Sequence, residues 1–202
     1  MVLVLVLTAA CTGDSEGPDE TLPTRPPSRS VEPTPTIEPQ PVELDVAVAK
    51  VLGGKLPPRR ARQLESQIGR VVERYLEAAY LGGEYPRRDF SDALVGFSRG
   101  AAGRAVSDRE ILSNAGVGAT TESVTPLAEV ARLDVLLANH RLIAGLTGRI
   151  RLVFVQERVD GARERVTVSG RLLLNRRRTG AWHVFGYDVS RSATPIGNGG
   201  RP

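Results

Sequence analysis

The side chains able to do chemistry are few in this chain of 202 residues. Cys11 is the only cysteine, so an intrachain disulfide is impossible and its thiol needs another fate. Two histidines, His140 and His183, stand far apart with no second cysteine, which gives no metal-ligand spacing. Gly116-Val117-Gly118 lacks the strand–turn–helix setting and the lysine of a phosphate loop. The expectation is no metal, no cofactor and no assignable catalytic residue.

Cys11 is the residue whose surroundings suggest a reaction. Val2-Leu3-Val4-Leu5-Val6-Leu7-Thr8-Ala9-Ala10 is an apolar run that ends in small residues, and Thr12 to Glu16 are polar or flexible. The run is too short to span a bilayer and has the length of a signal h-region. Leu7-Thr8-Ala9-Ala10-Cys11 resembles the bacterial lipobox, with Thr8 where that pattern usually has leucine. The resemblance implies cleavage before Cys11 and acylation of its thiol and its new amine. Each buried methylene then holds the anchor by ~0.8 kcal/mol, and several chains make it stable. No basic residue precedes the run, so the start of translation is expected upstream. The alternatives are a secreted protein cleaved near Ala10 without a lipid, and a buried strand with a chance cysteine.

Residues 12–43 hold eight prolines, Pro18, Pro23, Pro26, Pro27, Pro33, Pro35, Pro39 and Pro41, spaced by Thr, Ser and Glu. With no apolar face to bury, this stretch is expected to be a disordered stalk. In polyproline II at ~3.1 Å per residue it reaches on the order of 100 Å. The chain thus divides into a signal segment (1–11), a stalk (12–43), one domain (44–192) and a flexible tail (193–202).

Charge separates the same parts. Residues 1–43 carry two arginines against seven acidic residues, whereas residues 44–202 carry 25 basic and 16 acidic groups. A basic domain can meet anionic lipid or wall polymer, or simply present a solvated Arg-rich surface. Lys50 and Lys55 are the only lysines, a bias expected of a high-GC genome such as an actinobacterium's. Export disfavours nucleic acid as a partner.

The elements of the domain follow from periodicity. Val42 to Leu52 reads as a short strand or a lead-in helix ending at Gly53-Gly54. Leu64, Ile68, Val71, Val72, Tyr75, Ala78 and Ala79 form one apolar stripe, predicting a helix from Pro58 to Leu81. Arg70–Glu73 and Arg74–Glu77 are opposite-charge pairs on its outer side. Ser91 is expected to cap a short helix through Phe97, and Ser107 with Glu110 to form a capping box. Strands are expected after Val124: Leu127 to Leu137, with Leu127, Ala131, Leu133, Val135 and Leu137 on one face; Leu142 to Glu157, bent at Gly145 or Gly148; Arg165 to Asn175; and Ala181 to Ser190. Asp160-Gly161 marks the hairpin between the middle two.

Helices before strands predict an α+β domain, with N-terminal helices packed on a curved antiparallel sheet of about four strands. This order, with Gly180-Ala181-Trp182-His183-Val184-Phe185-Gly186-Tyr187-Asp188 as the last strand, resembles the cone-shaped nuclear-transport-factor-2-like fold. Small accessory proteins of mycobacterial import systems are similar in plan. Enzymes of that fold place Asp, His and Tyr inside the cone, which makes Tyr80, Asp134, His183, Tyr187 and Asp188 the cavity or surface candidates here. Alternation sends Trp182 and His183 to opposite faces. Tyr85-Pro86-Arg87-Arg88-Asp89-Phe90 reads either as a partner-binding loop or as a turn with Phe90 stapling the next helix. Arg176-Arg177-Arg178 reads as a solvated turn, or as a basic run that touches anionic lipid or polymer. The functional expectation is an extracytoplasmic lipoprotein on the outer face of the cell membrane. Its domain binds an envelope protein or a small apolar ligand, and the alternative is an isomerase- or hydrolase-like enzyme using the cone.

Overall fold

The computed structural model describes residues 42–139 and 142–197. Cys11, the signal segment, the stalk through residue 41, His140 and residues 198–202 lie outside the described residues.

Among the described residues the first element is a strand, β1 (Asp45–Leu52), which settles the reading of Val42 to Leu52. The long helix α1 (Pro58–Leu76) follows, opened by proline in its first turn, where the missing N–H costs nothing. Its last turn widens into a π-turn (Glu77–Leu81). The widened turn rephases the apolar stripe. Leu64, Ile68, Val72, Tyr75 and Leu76 are buried from α1, and the adjacent Ala79 and Tyr80 are both buried from the π-turn. Each fully buried leucine or isoleucine in such a stripe contributes about 1.5–3 kcal/mol. Neither Arg70–Glu73 nor Arg74–Glu77 closes as an ion pair; Arg70 instead donates to Ser66 Oγ at 2.8 Å.

Short helical turns connect α1 to the rest of the sheet: a 3-10 turn (Ser91–Leu94), α2 (Arg99–Ala105), α3 (Arg109–Leu112) and a second 3-10 turn (Gly118–Thr120). The expected serine caps are corrected. Ser91 does not cap; its own N–H is taken by Asp89 Oδ1 at 2.9 Å. Ser107 does not cap either, since Asp108 stands at the N-terminus of α3. Ser98 is the serine that caps, accepting from the Ala101 N–H at 3.2 Å.

Four long strands complete the domain: β2 (Thr121–Ala138), β3 (Leu142–Arg158), β4 (Arg163–Arg176) and β5 (Trp182–Pro195). The sheet therefore has five strands in the order β1-β2-β3-β4-β5 and is mixed. The expected antiparallel sheet of about four strands is present as β2 to β5, and the expectation that helices lead into the sheet is corrected by β1. β1 precedes α1 and pairs parallel to β2, while the other neighbours are antiparallel. A parallel pair needs a crossover connection, and α1 with its following turns supplies it.

The core lies between α1 and one sheet face. Ala131, Leu133, Val135, Leu146, Ile150, Leu152, Phe154, Val166, Val168, Leu172 and Leu174 alternate inward from β2, β3 and β4. Leu127 does not share their face: a bulge between Pro126 and Ala128 leaves it unpaired and exposed. A second bulge leaves Phe185 unpaired, because Leu174 pairs with Val184 and Leu173 with Gly186. It puts Trp182, Val184 and Tyr187 on the core side, although Tyr187 is out of phase with the other two. β5 runs to Pro195, five positions beyond the expected end.

Candidate functional site

The structure separates the expected site residues. Tyr80 is fully buried; its hydroxyl donates to the Ile111 carbonyl at 2.7 Å, and its ring packs on Phe154. Asp134 lies on the sheet face away from α1, where Arg149 reaches it at 3.1 Å from the neighbouring strand. His183 points to that same outer side, opposite Asn175 of β4, as the alternation with Trp182 predicts. His183 Nδ1 and Asn175 Oδ1 are both buried without a partner, and burial together with Arg177 lowers the pKa of the imidazole. Asp188 is exposed and paired with Arg171. Tyr187 faces the core side and donates to Asp108 Oδ2 at 2.7 Å; burial and that bond push it up to about 12. Tyr187, Phe97, Tyr75 and Tyr80 form a row of ring contacts at 6.0, 5.5 and 6.0 Å. The row is packing, and no acid–base pair forms along it.

The buried tyrosines serve a helix end. A helix leaves its last carbonyls without partners. Those of Ile111 and Leu112 in α3 are met by Tyr80 and Tyr75, the latter at 3.1 Å. Burial drives both phenols well above their ordinary range, so neither is a base near neutrality.

Gly96-Phe97-Ser98-Arg99-Gly100 has the spacing of a nucleophile elbow. The geometry does not match. Ser98 has ordinary extended backbone angles, and its Oγ is spent on capping α2. The segment follows a 3-10 turn rather than a strand, and no histidine reaches the hydroxyl among the described hydrogen bonds.

Two of the three arginines in the β4–β5 turn make local contacts. Arg176 stands over the Trp182 ring at 5.7 Å and donates to the Gly180 carbonyl, while Arg177 reaches the Phe97 carbonyl at 3.4 Å.

Two of the concave places among the described residues combine apolar walls with unpaired charged side chains. The first is a pocket of about 410 Å³, a volume in the range of small-molecule sites. Phe90, Ala93, Leu94, Val106, Leu112 and Ala115 make its apolar wall, with Arg88, Asp89 and Arg109 among the polar residues lining it. The Tyr85–Phe90 segment builds one side, and each member has a different task. Tyr85 donates to the Tyr80 carbonyl at 2.7 Å. Arg87 donates to the Gly82 and Asp89 carbonyls and lies 4.3 Å from the Phe90 ring centre. Phe90 rests on Gly118, where a Cβ would stand 2.7 Å from the ring, so only glycine admits this wall. Arg88 and Arg109 have no partner among the described residues, while Asp89 is bound to the Ser91 N–H, which lowers its pKa.

The second is a cleft of about 600 Å³ between α1 and the start of β1. Glu65, Ser66, Gly69, Arg70, Glu73 and Glu77 line it from the helix, and Val42 to Leu44 with Val46 line it from the other side. Glu129 of β2 also lines it. That residue is 6% exposed, and no hydrogen bond or ion pair satisfies its carboxylate among the described residues. Burial first, then Glu77 and Glu73, raise its pKa to about 7. Glu129 is absent from the candidates drawn from sequence, yet its signal was there: it is in phase with Ala131, Leu133 and Val135, on the buried face of its strand.

No family model matches the chain, and no curated protein or solved structure matches it either.

Proposed function

We propose that this chain is an extracytoplasmic lipoprotein, anchored through Cys11 to the outer face of the cell membrane. Its single domain, a cone-like member of the nuclear-transport-factor-2-like type, acts as a binding module. Its ligand is an amphipathic anion: the apolar body enters the pocket between Phe90 and Leu112, and the acid group meets Arg88 and Arg109. The observation that carries the reading is that two guanidinium groups without partners stand beside an apolar pocket of ligand size. Asp89 on the same lining accepts the Ser91 N–H, and two guanidinium groups against this one carboxylate leave the local charge positive. The separation of Tyr80, Asp134, His183 and Tyr187 is in keeping with binding rather than turnover. The Pro-rich stalk suits a domain held off a membrane.

Two measurements test the two halves. Calorimetric titration with dodecanoate should give saturable binding that weakens at least tenfold in the Arg88→Gln/Arg109→Gln double variant. Equal binding by the double variant, or none by the wild type, overturns the ligand reading. Palmitate labelling in a bacterial host should mark the wild type and not Cys11→Ser. An unlabelled wild type overturns the anchor.

A further inference from the structure

A carboxylate removed from water without a partner is costly, so buried carboxylates are almost always paired. Glu129 is largely buried and has no partner among the described residues, and it lines a cleft that leaves its carboxylate oxygens within reach of water. Its surroundings add negative charge. Glu43, Glu73 and Glu77 line the same cleft and have no partner among the described residues. Glu65 accepts the Val48 N–H and Arg70, the one cation of the lining, donates to Ser66, so five carboxylates share the cleft with one guanidinium. This acidic patch sits on a domain whose arginines outnumber its acids.

We infer that the cleft between α1 and β1 binds an aliphatic diamine or polyamine, with one ammonium group on Glu129 and another at Glu73 and Glu77. Spacing favours this class over a metal ion. Among the described residues no three acidic, histidine or cysteine side chains converge as a metal site would require. Glu73 and Glu77 are one helical turn apart, about 6 Å along the axis, which spreads the negative charge over a length. The facing wall of Val42, Leu44 and Val46 is apolar and suits a methylene chain between charged ends. Gly69 at the middle of the helical wall brings α1 close to β1, its Cβ position being 3.3 Å from Val46 Cγ2. The ammonium group supplies the hydrogen-bond donors that Glu129 lacks, and a bond between two charged groups is stronger than one between neutral groups.

The test uses the full chain and 1,4-diaminobutane, which is doubly charged throughout the pH range used. Calorimetry at pH 8 should show saturable one-to-one binding. Glu129→Gln keeps the shape, and circular dichroism should show it folded; its binding should be weaker by tenfold or more. Glu122→Gln, an exposed carboxylate at the start of β2, should bind as the wild type does. Affinity should rise about tenfold from pH 6 to pH 8 in the wild type and stay level in Glu129→Gln, because only an ionised Glu129 attracts the ligand. Absence of saturable binding at pH 8 overturns the inference. So does undiminished binding by Glu129→Gln, or displacement of the diamine by an equal concentration of calcium.

Discussion

Glu65 Oε1 accepts the backbone N–H of Val48 at 2.8 Å, joining the long helix to the edge strand through a side chain. Val48 sits at the one irregularity in the parallel ladder, where the register with β2 shifts before Lys50. The helix thus supplies an acceptor at the point where the strand leaves regular pairing. A charged acceptor on a part-buried N–H is worth about 1.5–3 kcal/mol. Glu65→Ala should lower unfolding stability by about 1–2 kcal/mol in urea titration, and Glu65→Gln, which keeps an acceptor, by less. Equal loss in both variants would show that the charge, and not the bond, is what matters.

The tyrosine struts make a second prediction. Tyr80→Phe leaves the Ile111 carbonyl without its donor, at a cost of about 1–3 kcal/mol. Tyr187→Phe should cost less, because Asp108 can turn to water when its donor is lost. Comparison of the two thermal transitions checks the order, and the reverse order would place the decisive bond at Asp108.

Much of this arrangement is legible in the residue pattern, and the exceptions share a cause. Val166, Val168, Leu172 and Leu174 alternate as they read, and Gly161 takes the positive φ of 80° that the Asp-Gly hairpin requires. The stripe from Leu64 to Tyr75 predicts α1, because local periodicity is set by the same neighbours in sequence and in space. β1 is different: nothing local tells Val46 and Val48 that their partners are Ala131 and Leu133. Bulges are equally hidden. One unpaired residue at Phe185 changes the face of Tyr187, and another at Leu127 exposes a leucine that alternation alone would bury. Ser107-x-x-Glu110 has the letters of a capping box, but the helix starts one residue later and leaves the motif out of phase. Among the site residues, Arg88 lies in a segment marked by its own composition. Arg109 meets it only after α3 is folded back on the Tyr85–Phe90 loop.

Glu129 gives the third prediction, and its sign can be worked out. The folded state holds the carboxyl at about 7, above its ordinary value of 4.5. Between those values the folded chain binds a proton that the unfolded chain has lost, so stability falls as pH rises through this window. Below the lower value both states are protonated and the residue costs nothing of this kind. Above the upper value the ionised group faces Glu73 and Glu77 and a poorly hydrated wall, and the full penalty applies. Because one side of the carboxyl opens to the cleft, solvent screening reduces the penalty to roughly 1–2 kcal/mol. Glu129→Gln removes the titration and keeps the volume. In urea unfolding it should be more stable than the wild type by that amount at pH 8, with the gap closing as the pH is lowered toward the ordinary carboxylate range. A variant no more stable than the wild type at pH 8 would mean that the Glu129 carboxylate already has a stabilising partner in the free protein.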